Sequence, residues 1–67
     1  MKAITTIHGT LRIGDKVEIS GMVKERWTRT VIEITPQYIK VAGPITFDLD
    51  TLRSRECWQH RITGIED

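Results

Sequence analysis

The class of fold is decided by residues 16–43, which read KVEISGMVKERWTRTVIEITPQYIKVAG. Apolar and polar residues alternate here with a period of two, which is the pattern of half-buried strands rather than of helices. Val17 and Ile19 share one face of the first run, and Ile39 and Val41 share one face of the third. The stretch therefore predicts three consecutive strands joined by short connections.

The middle run, residues 27–34, has two faces under the same alternation. One face carries Thr28, Thr30, Ile32 and Ile34, and the other carries Trp27, Arg29, Val31 and Glu33. Trp27 is then either an exposed anchor for a partner or, together with Val31, part of a second buried layer. The predicted core consists of the inward residues of all the runs, namely Val17, Ile19, Ile32, Ile34, Ile39, Val41, Phe47, Leu52 and Ile62.

The residues between the runs are typical of turns. Pro36 is suited to the first corner of a turn over residues 35–38, because its ring fixes the backbone angle that this corner needs. Gly43 and Pro44 break the chain again before a fourth predicted strand over residues 45–49. These connections are short enough for antiparallel hairpins.

The stretch DLDTLRSRE, residues 48–56, predicts a single helical or 3₁₀ turn capped by Asp50. Such a turn carries Leu52 inward and leaves Arg53, Arg55 and Glu56 in water. A last strand is predicted over residues 57–63. No segment shows a sustained apolar stripe at helical spacing, so the expected class is all-β.

Length and composition limit how this fold is stabilised and where it works. The chain has 67 residues, and a single domain of this size has a marginal core. The lone Cys57 excludes an intramolecular disulfide, so sheet closure or self-association must add stability. The opening residues lack a signal-peptide pattern, and no apolar run is long enough to span a bilayer. A cytoplasmic location without membrane contact is expected.

Charge separates the classes of partner. Ten Lys and Arg against nine Asp and Glu give a formal charge of +1, which argues against a generally basic nucleic-acid binder but leaves room for a local basic patch.

Two short motifs carry a resemblance to a known family. RIGDKVEISG, Arg12 to Gly21, resembles the Gly-Asp-x-Val opening of SH3-like small barrels, including the KOW-type modules of ribosomal and transcription proteins. DLDTLR, Asp48 to Arg53, stands where such barrels have a 3₁₀ turn before their final strand. The resemblance implies a small antiparallel barrel of about five strands over residues 12–63, in which the first strand pairs with the last and closes the sheet.

Residues 1–11 depart from that pattern, since they form an extra β-prone arm within a single domain of residues 1–67. The chain is also similar to small uncharacterised phage and prophage proteins, which share a Gly-Asp start and an ending like that of residues 47–53. This second resemblance suggests a phage or prophage accessory protein and implies no activity. SH3-like barrels serve as RNA binders, DNA binders, peptide readers and assembly modules, so the fold alone selects none of these functions.

Catalysis and metal binding find little support in the sequence. There is no glycine-rich phosphate loop and no recognisable setting for a nucleophile, so neither catalytic residues nor a small-molecule substrate are predicted. Cys57 and His60 have C-x-x-H spacing, and His8 could add a third ligand. A closed zinc site needs four ligands, and a second Cys or His pair is missing. We therefore predict that the chain is not an enzyme and that it binds neither a metal nor a cofactor.

Two clusters combine arginine with tryptophan. The first contains Lys24, Glu25, Arg26, Trp27 and Arg29, and the second contains Arg53, Arg55, Glu56, Trp58, His60 and Arg61. Arginine beside an aromatic ring suits phosphate contact and base stacking. Trp58 shares its parity with His60 and Ile62 and is assigned mainly to the core. The predicted binding residues, for a protein partner or for nucleic acid, are Lys24, Arg26, Trp27, Arg29, Arg53, Arg55 and Arg61.

A protein partner or a second copy of the chain is favoured over RNA or DNA, because the acidic side chains dilute the positive field on which phosphate binding depends. The arm AITTIHGTL, residues 3–11, is rich in β-branched residues. Its Ile4 and Ile7 are predicted at a homodimer interface. The alternative is that the arm folds back over its own sheet and covers Val31 and Trp27.

Overall fold

The computed structural model describes residues 2–21, 23, 25–57 and 59–66, and within these ranges the chain forms seven β-strands and no helix. No described segment is therefore a helix long and apolar enough to cross a membrane. The strands are β1 (Ala3–Thr6), β2 (Gly9–Arg12), β3 (Lys16–Ser20), β4 (Arg26–Ile34), β5 (Tyr38–Val41), β6 (Ile45–Asp48) and β7 (Arg61–Glu66). The predicted all-β class is confirmed.

The strands form two antiparallel sheets. β1 and β2 make a hairpin, and the other five make a curled sheet in the order β6-β5-β4-β3-β7. The four strands expected along residues 16–49 are present, and β3, the first strand of the larger sheet, pairs with the last strand, β7. The turn at residues 35–38 is also confirmed, because the Thr35 N–H donates to the Tyr38 carbonyl at 2.9 Å.

The last strand begins at Arg61, so its prediction over residues 57–63 is wrong at its start. Ser54 is the physical reason, because its Oγ accepts hydrogen bonds from the Glu56 and Cys57 N–H groups, each at 3.2 Å. The His60 N–H then donates to the Cys57 carbonyl at 2.9 Å. These bonds fold the chain into turns where alternation alone suggests an extended strand.

Residues 53–55 lie between the two edge strands of the curled sheet and bond to both sides. On the β6 side, the Arg55 N–H donates to the Thr46 carbonyl at 2.8 Å, and the Asp48 N–H donates to the Arg53 carbonyl at 3.0 Å. On the β7 side, the Ser54 N–H donates to the His60 carbonyl at 2.8 Å. We call residues 53–55 the bridging segment, because they connect the two edges of the sheet.

The turn before the bridging segment differs in detail from the expected 3₁₀ turn. The Leu52 N–H donates to the Asp48 carbonyl at 2.7 Å, which is the i to i+4 spacing of an α-turn. Leu52 itself has a φ of 58°, in the left-handed region. Its side chain is buried, as predicted, while Arg53, Arg55 and Glu56 are exposed.

The N-terminal arm folds back onto its own chain as the hairpin of β1 and β2. Leu11 is buried in the core of the larger sheet, and Ile4 packs against that core. The Gly-Asp turn fixes this arrangement, because the Gly14 N–H donates to the Val31 carbonyl at 2.9 Å and the Val31 N–H donates to the Asp15 carbonyl at 2.8 Å. Gly14 has a φ of +97°, which a residue with a Cβ adopts only under strain.

A β-bulge in β4 overturns one predicted core position. Val31 pairs with Val41 and Ile34 with Ile39, but Glu33 pairs with Lys40, so the register shifts between Val31 and Glu33. The extra residue is Ile32, which is 48% exposed, whereas Val31 is 1% exposed. The prediction that Ile32 lies in the core is therefore wrong, because a bulge reverses the inward and outward alternation beyond it. The buried core is Leu11, Val17, Ile19, Val31, Ile34, Ile39, Val41, Phe47, Leu52 and Ile62.

The bulge predicts opposite sensitivities at two neighbouring positions. Val31→Ala should lower the free energy of unfolding by about 2 kcal/mol, because it removes two buried carbon atoms and leaves a cavity. Ile32→Ala should lower it by less than about 1 kcal/mol, since that side chain is half exposed. Urea denaturation followed by circular dichroism measures both values. A larger loss at Ile32 than at Val31 would contradict the bulge.

Candidate functional site

Three predicted binding residues lie side by side on the outer surface of the curled sheet. Ser20 on β3 pairs with Arg26 on one side and with Arg61 on the other, and Arg61 in turn bridges to Arg53. Residues opposite one another on antiparallel strands point to the same face. This face is the outer one, since the neighbouring Ile19 is buried. We call Arg26, Arg61 and Arg53 the arginine row.

Trp27 and Arg29 lie on the other face of β4, away from the arginine row. Trp27 pairs with Ile19 and Arg29 with Val17, and both partners are fully buried. Trp27 is half-buried, packs against the core and meets the His60 ring edge-on, with ring centroids 4.9 Å apart and planes at 85°. Arg29 is exposed, and its guanidinium donates to the Thr28 carbonyl. The Trp27 ring therefore contacts the core and His60, and it lies on the opposite face of β4 from the arginine row, away from any base that would bind there.

Two of the predicted arginines already hold carboxylates. The Arg55 Nε lies 2.6 Å from an Asp48 oxygen, and its guanidinium carbon lies 5.0 Å from the centre of the Tyr38 ring. The Arg26 guanidinium lies 3.7 Å from a Glu18 oxygen. Both ion pairs are solvent-exposed, so each adds little stability, but each reduces the positive charge offered to a ligand. Lys24 and Trp58, which were also singled out from the sequence, lie outside the described residues.

The two residues predicted at a homodimer interface occupy different environments. Ile4 pairs with Leu11 and packs on the core of its own chain. Ile7 stands at the tip of the hairpin and is 89% exposed. The tip is fixed by Thr6, whose Oγ1 donates to the Gly9 carbonyl at 2.9 Å and accepts from the His8 N–H at 3.1 Å. A partner would therefore meet Ile7 before it meets Ile4.

The carboxylate of Glu56 has a role that the sequence prediction missed. Its Oε2 accepts hydrogen bonds from the Thr46 N–H at 3.1 Å and from the Ser54 hydroxyl at 3.0 Å, so it ties the bridging segment to β6. Partial burial raises the pKa of Glu56, but these bonds and one from its own N–H lower it by more, and the net pKa lies below the ordinary value. The Ser-x-Glu spacing at residues 54–56 is the only sequence signal for this contact.

Within the described ranges, no three His, Cys, Asp or Glu residues lie close enough together to hold an ion. Cys57 is half-buried, and its Sγ lies 4.0 Å from the Gln59 amide oxygen.

Comparison of the chain with protein-family models, with curated proteins and with solved structures finds no significant match.

The lowered pKa of Glu56 predicts a pH-dependent contribution to stability. Since the folded pKa is below the unfolded one, the ionised carboxylate stabilises the fold at neutral pH, and this stabilisation is lost as the pH falls below about 4.3 and through the folded value. Glu56→Gln keeps an acceptor but removes the charge. The difference in unfolding free energy between wild type and Glu56→Gln should therefore shrink between pH 7 and pH 3, as measured by urea denaturation. A difference independent of pH would show that the charge is irrelevant.

Proposed function

We propose that this chain is a non-enzymatic interaction module on an SH3-like barrel and that it self-associates through the outer edge of β1. The strand order supports the barrel assignment, since the first strand of the larger sheet pairs with its last, as the resemblance implies. The bridging segment also supports the barrel assignment, because it links β6 and β7, the two outer strands of the larger sheet.

The free edge of β1 is the observation that carries the proposal. β1 pairs with β2 alone in the described part of the chain. The Ile13 N–H donates to the Lys2 carbonyl, which makes these two residues a hydrogen-bonded pair. Hydrogen-bonded and non-bonded pairs alternate in an antiparallel ladder. The backbone groups of Ala3 and Thr5 therefore point away from β2, toward the free edge.

The side chains of β1 do nothing to block pairing at that edge. Its sequence, AITT, contains no charge and no proline, which are the usual devices that protect an edge strand. Within the described ranges, residues 26–29 of β4 also pair with no strand on the β5 side, but they include Arg26 and Arg29. The unpaired part of β4 is thus protected by charged side chains, whereas the free edge of β1 is not. This difference is consistent with pairing of β1 with another strand.

A second copy of the chain is the simplest occupant of this edge. Two β1 strands that pair antiparallel about a two-fold axis would join the hairpins into one four-stranded sheet, and each strand would satisfy the other's outward groups. A small domain gains proportionately from such burial, because its own core is limited. A strand from another protein would use the same backbone groups.

Proline substitution tests the edge without touching the hairpin ladder. Thr5→Pro removes an N–H that points to the free edge, and proline is tolerated at such edge positions. Thr10 pairs with Thr5, and its N–H points away from β1, so Thr10→Pro is the matched control. In sedimentation at several concentrations, we expect wild type and Thr10→Pro to dimerise and Thr5→Pro to remain monomeric.

Two results would contradict self-association through β1. A wild-type chain that remains monomeric at high concentration rejects the dimer. A dimer that survives Thr5→Pro places the interface elsewhere. Circular dichroism of each variant confirms that the sheets are intact.

Nucleic-acid binding is the second candidate, and the arginine row is the observation that favours it. The row brings three guanidinium groups to one outer face, with Arg53 opposite Arg61, and guanidinium groups suit phosphate contact. The ion pairs of Arg26 and Arg55 weaken this candidate, since they neutralise two of the available charges. Binding of a single-stranded oligonucleotide that weakens steeply as salt rises would be its signature.

A further inference from the structure

A pocket of about 260 Å³ opens between the hairpin tip and β7, and none of its lining residues belongs to β1. Its apolar lining residues are Leu52 and Ile62, which are buried, and Ile7, which is exposed. The polar residues that line it are His8, Thr51, Arg61 and Thr63. Apolar surface with a few polar groups is the usual composition of a binding pocket.

The charge of Arg61 is available at this pocket. Arg26 and Arg55 each hold a carboxylate, whereas Arg61 forms no ion pair with any residue of the described ranges. Its cross-strand neighbour is Arg53, a second positive charge. The pocket therefore presents a cation beside apolar surface, and the complementary ligand carries a negative charge beside an apolar group.

The size of the pocket limits the ligand further. Small-molecule sites usually enclose about 300–1,000 Å³, and this pocket is smaller. One amino-acid side chain suits it better than a larger molecule. The C-terminal residue of a polypeptide carries an aliphatic side chain and a carboxylate on the same Cα, so it supplies both required groups within that volume.

We propose that this pocket binds the C-terminal residue of a partner protein, with an aliphatic side chain against Leu52, Ile62 and Ile7 and the carboxylate paired with Arg61. Burial of the aliphatic group would also cover Ile7, the most exposed large apolar side chain among the described residues. The guanidinium of Arg61 would bind the carboxylate through charge-assisted hydrogen bonds. This site is independent of dimerisation, because the outer edge of β1 contributes no residue to it.

Short peptides of matched sequence test the proposal directly. The probes are acetyl-Ser-Gly-Leu with a free carboxylate, the same peptide with an amidated C-terminus, and acetyl-Ser-Gly-Ser with a free carboxylate. Titration into the isotopically labelled chain is followed by amide chemical shifts. We expect the free leucine peptide to shift residues 61–63 saturably, and the other two peptides to bind at least about tenfold more weakly, since each lacks one of the two interactions.

Variants of the chain separate the pocket from general charge. Arg61→Gln should weaken the leucine peptide about as much as amidation does, whereas Arg26→Gln, a change elsewhere on the arginine row, should leave binding unchanged. Binding should also persist in Thr5→Pro, so loss of the dimer and loss of the pocket are distinguishable outcomes.

Three results would overturn the proposal. Equal binding of the acid and the amide would remove the role of Arg61, and an equal effect of Arg26→Gln would reduce the interaction to net charge. Tighter binding of a single-stranded oligonucleotide at residues 61–63 would assign this surface to phosphate instead.

Discussion

The rest of the fold depends on the hydrogen bonds that the bridging segment, residues 53–55, makes to both sides of the curled sheet. Without a disulfide, a chain of 67 residues must bury as much as it can of a small core. The bond from Arg55 to Thr46 holds the segment to β6, and the Arg53–Arg61 bridge holds it to β7. Without these contacts, β6 and β7 would be the two open edges of the curled sheet. Leu52, which precedes the segment, has a left-handed backbone conformation and a buried side chain. The Glu56 carboxylate fastens the same segment to β6.

Alternation in the sequence predicts most of the larger sheet, because each of its strands buries one face. It places Val17, Ile19, Ile39 and Val41 correctly, and it places the turn at Pro36 correctly for the same local reasons. It fails at Ile32, because a bulge depends on how β4 pairs with β5 rather than on β4 itself. The pattern within one strand therefore does not show how that strand pairs with its neighbours.

The predicted start of the last strand is wrong for a related reason. Residues 57–60 alternate as a strand would, but the Ser54 hydroxyl accepts hydrogen bonds from two N–H groups that would pair with a neighbouring strand in an extended segment.

The structure of the N-terminal arm is only partly predictable from the sequence. Its β character follows from composition, but the burial of Leu11 follows from the path that the Gly14-Asp15 turn imposes.

The placement of the candidate surface residues depends on the bridging segment and on the register of β4. The bridging segment brings Arg53 beside Arg61, so residues from two separate sequence clusters meet in one row. Alternation along β4 has the opposite effect, since it sends Arg26 outward and Trp27 toward the core. Arg26 and Trp27 are therefore neighbours in the sequence but lie on opposite faces of β4. The edge of β1 and the pocket beside Ile7 are the two surfaces for which we propose contact with another chain.

Amide hydrogen exchange at two protein concentrations tests both parts of this account in one measurement. We expect the Ser54, Arg55 and Ile62 amides to be protected as strongly as those of the core strands at either concentration, because opening them requires global unfolding. We also expect that the Ala3 and Thr5 amides become protected only at the higher concentration, while the Thr10 amide does not. Rapid exchange at Ser54 and Arg55 beside a protected core, or unprotected Ala3 and Thr5 amides at both concentrations, would contradict this account.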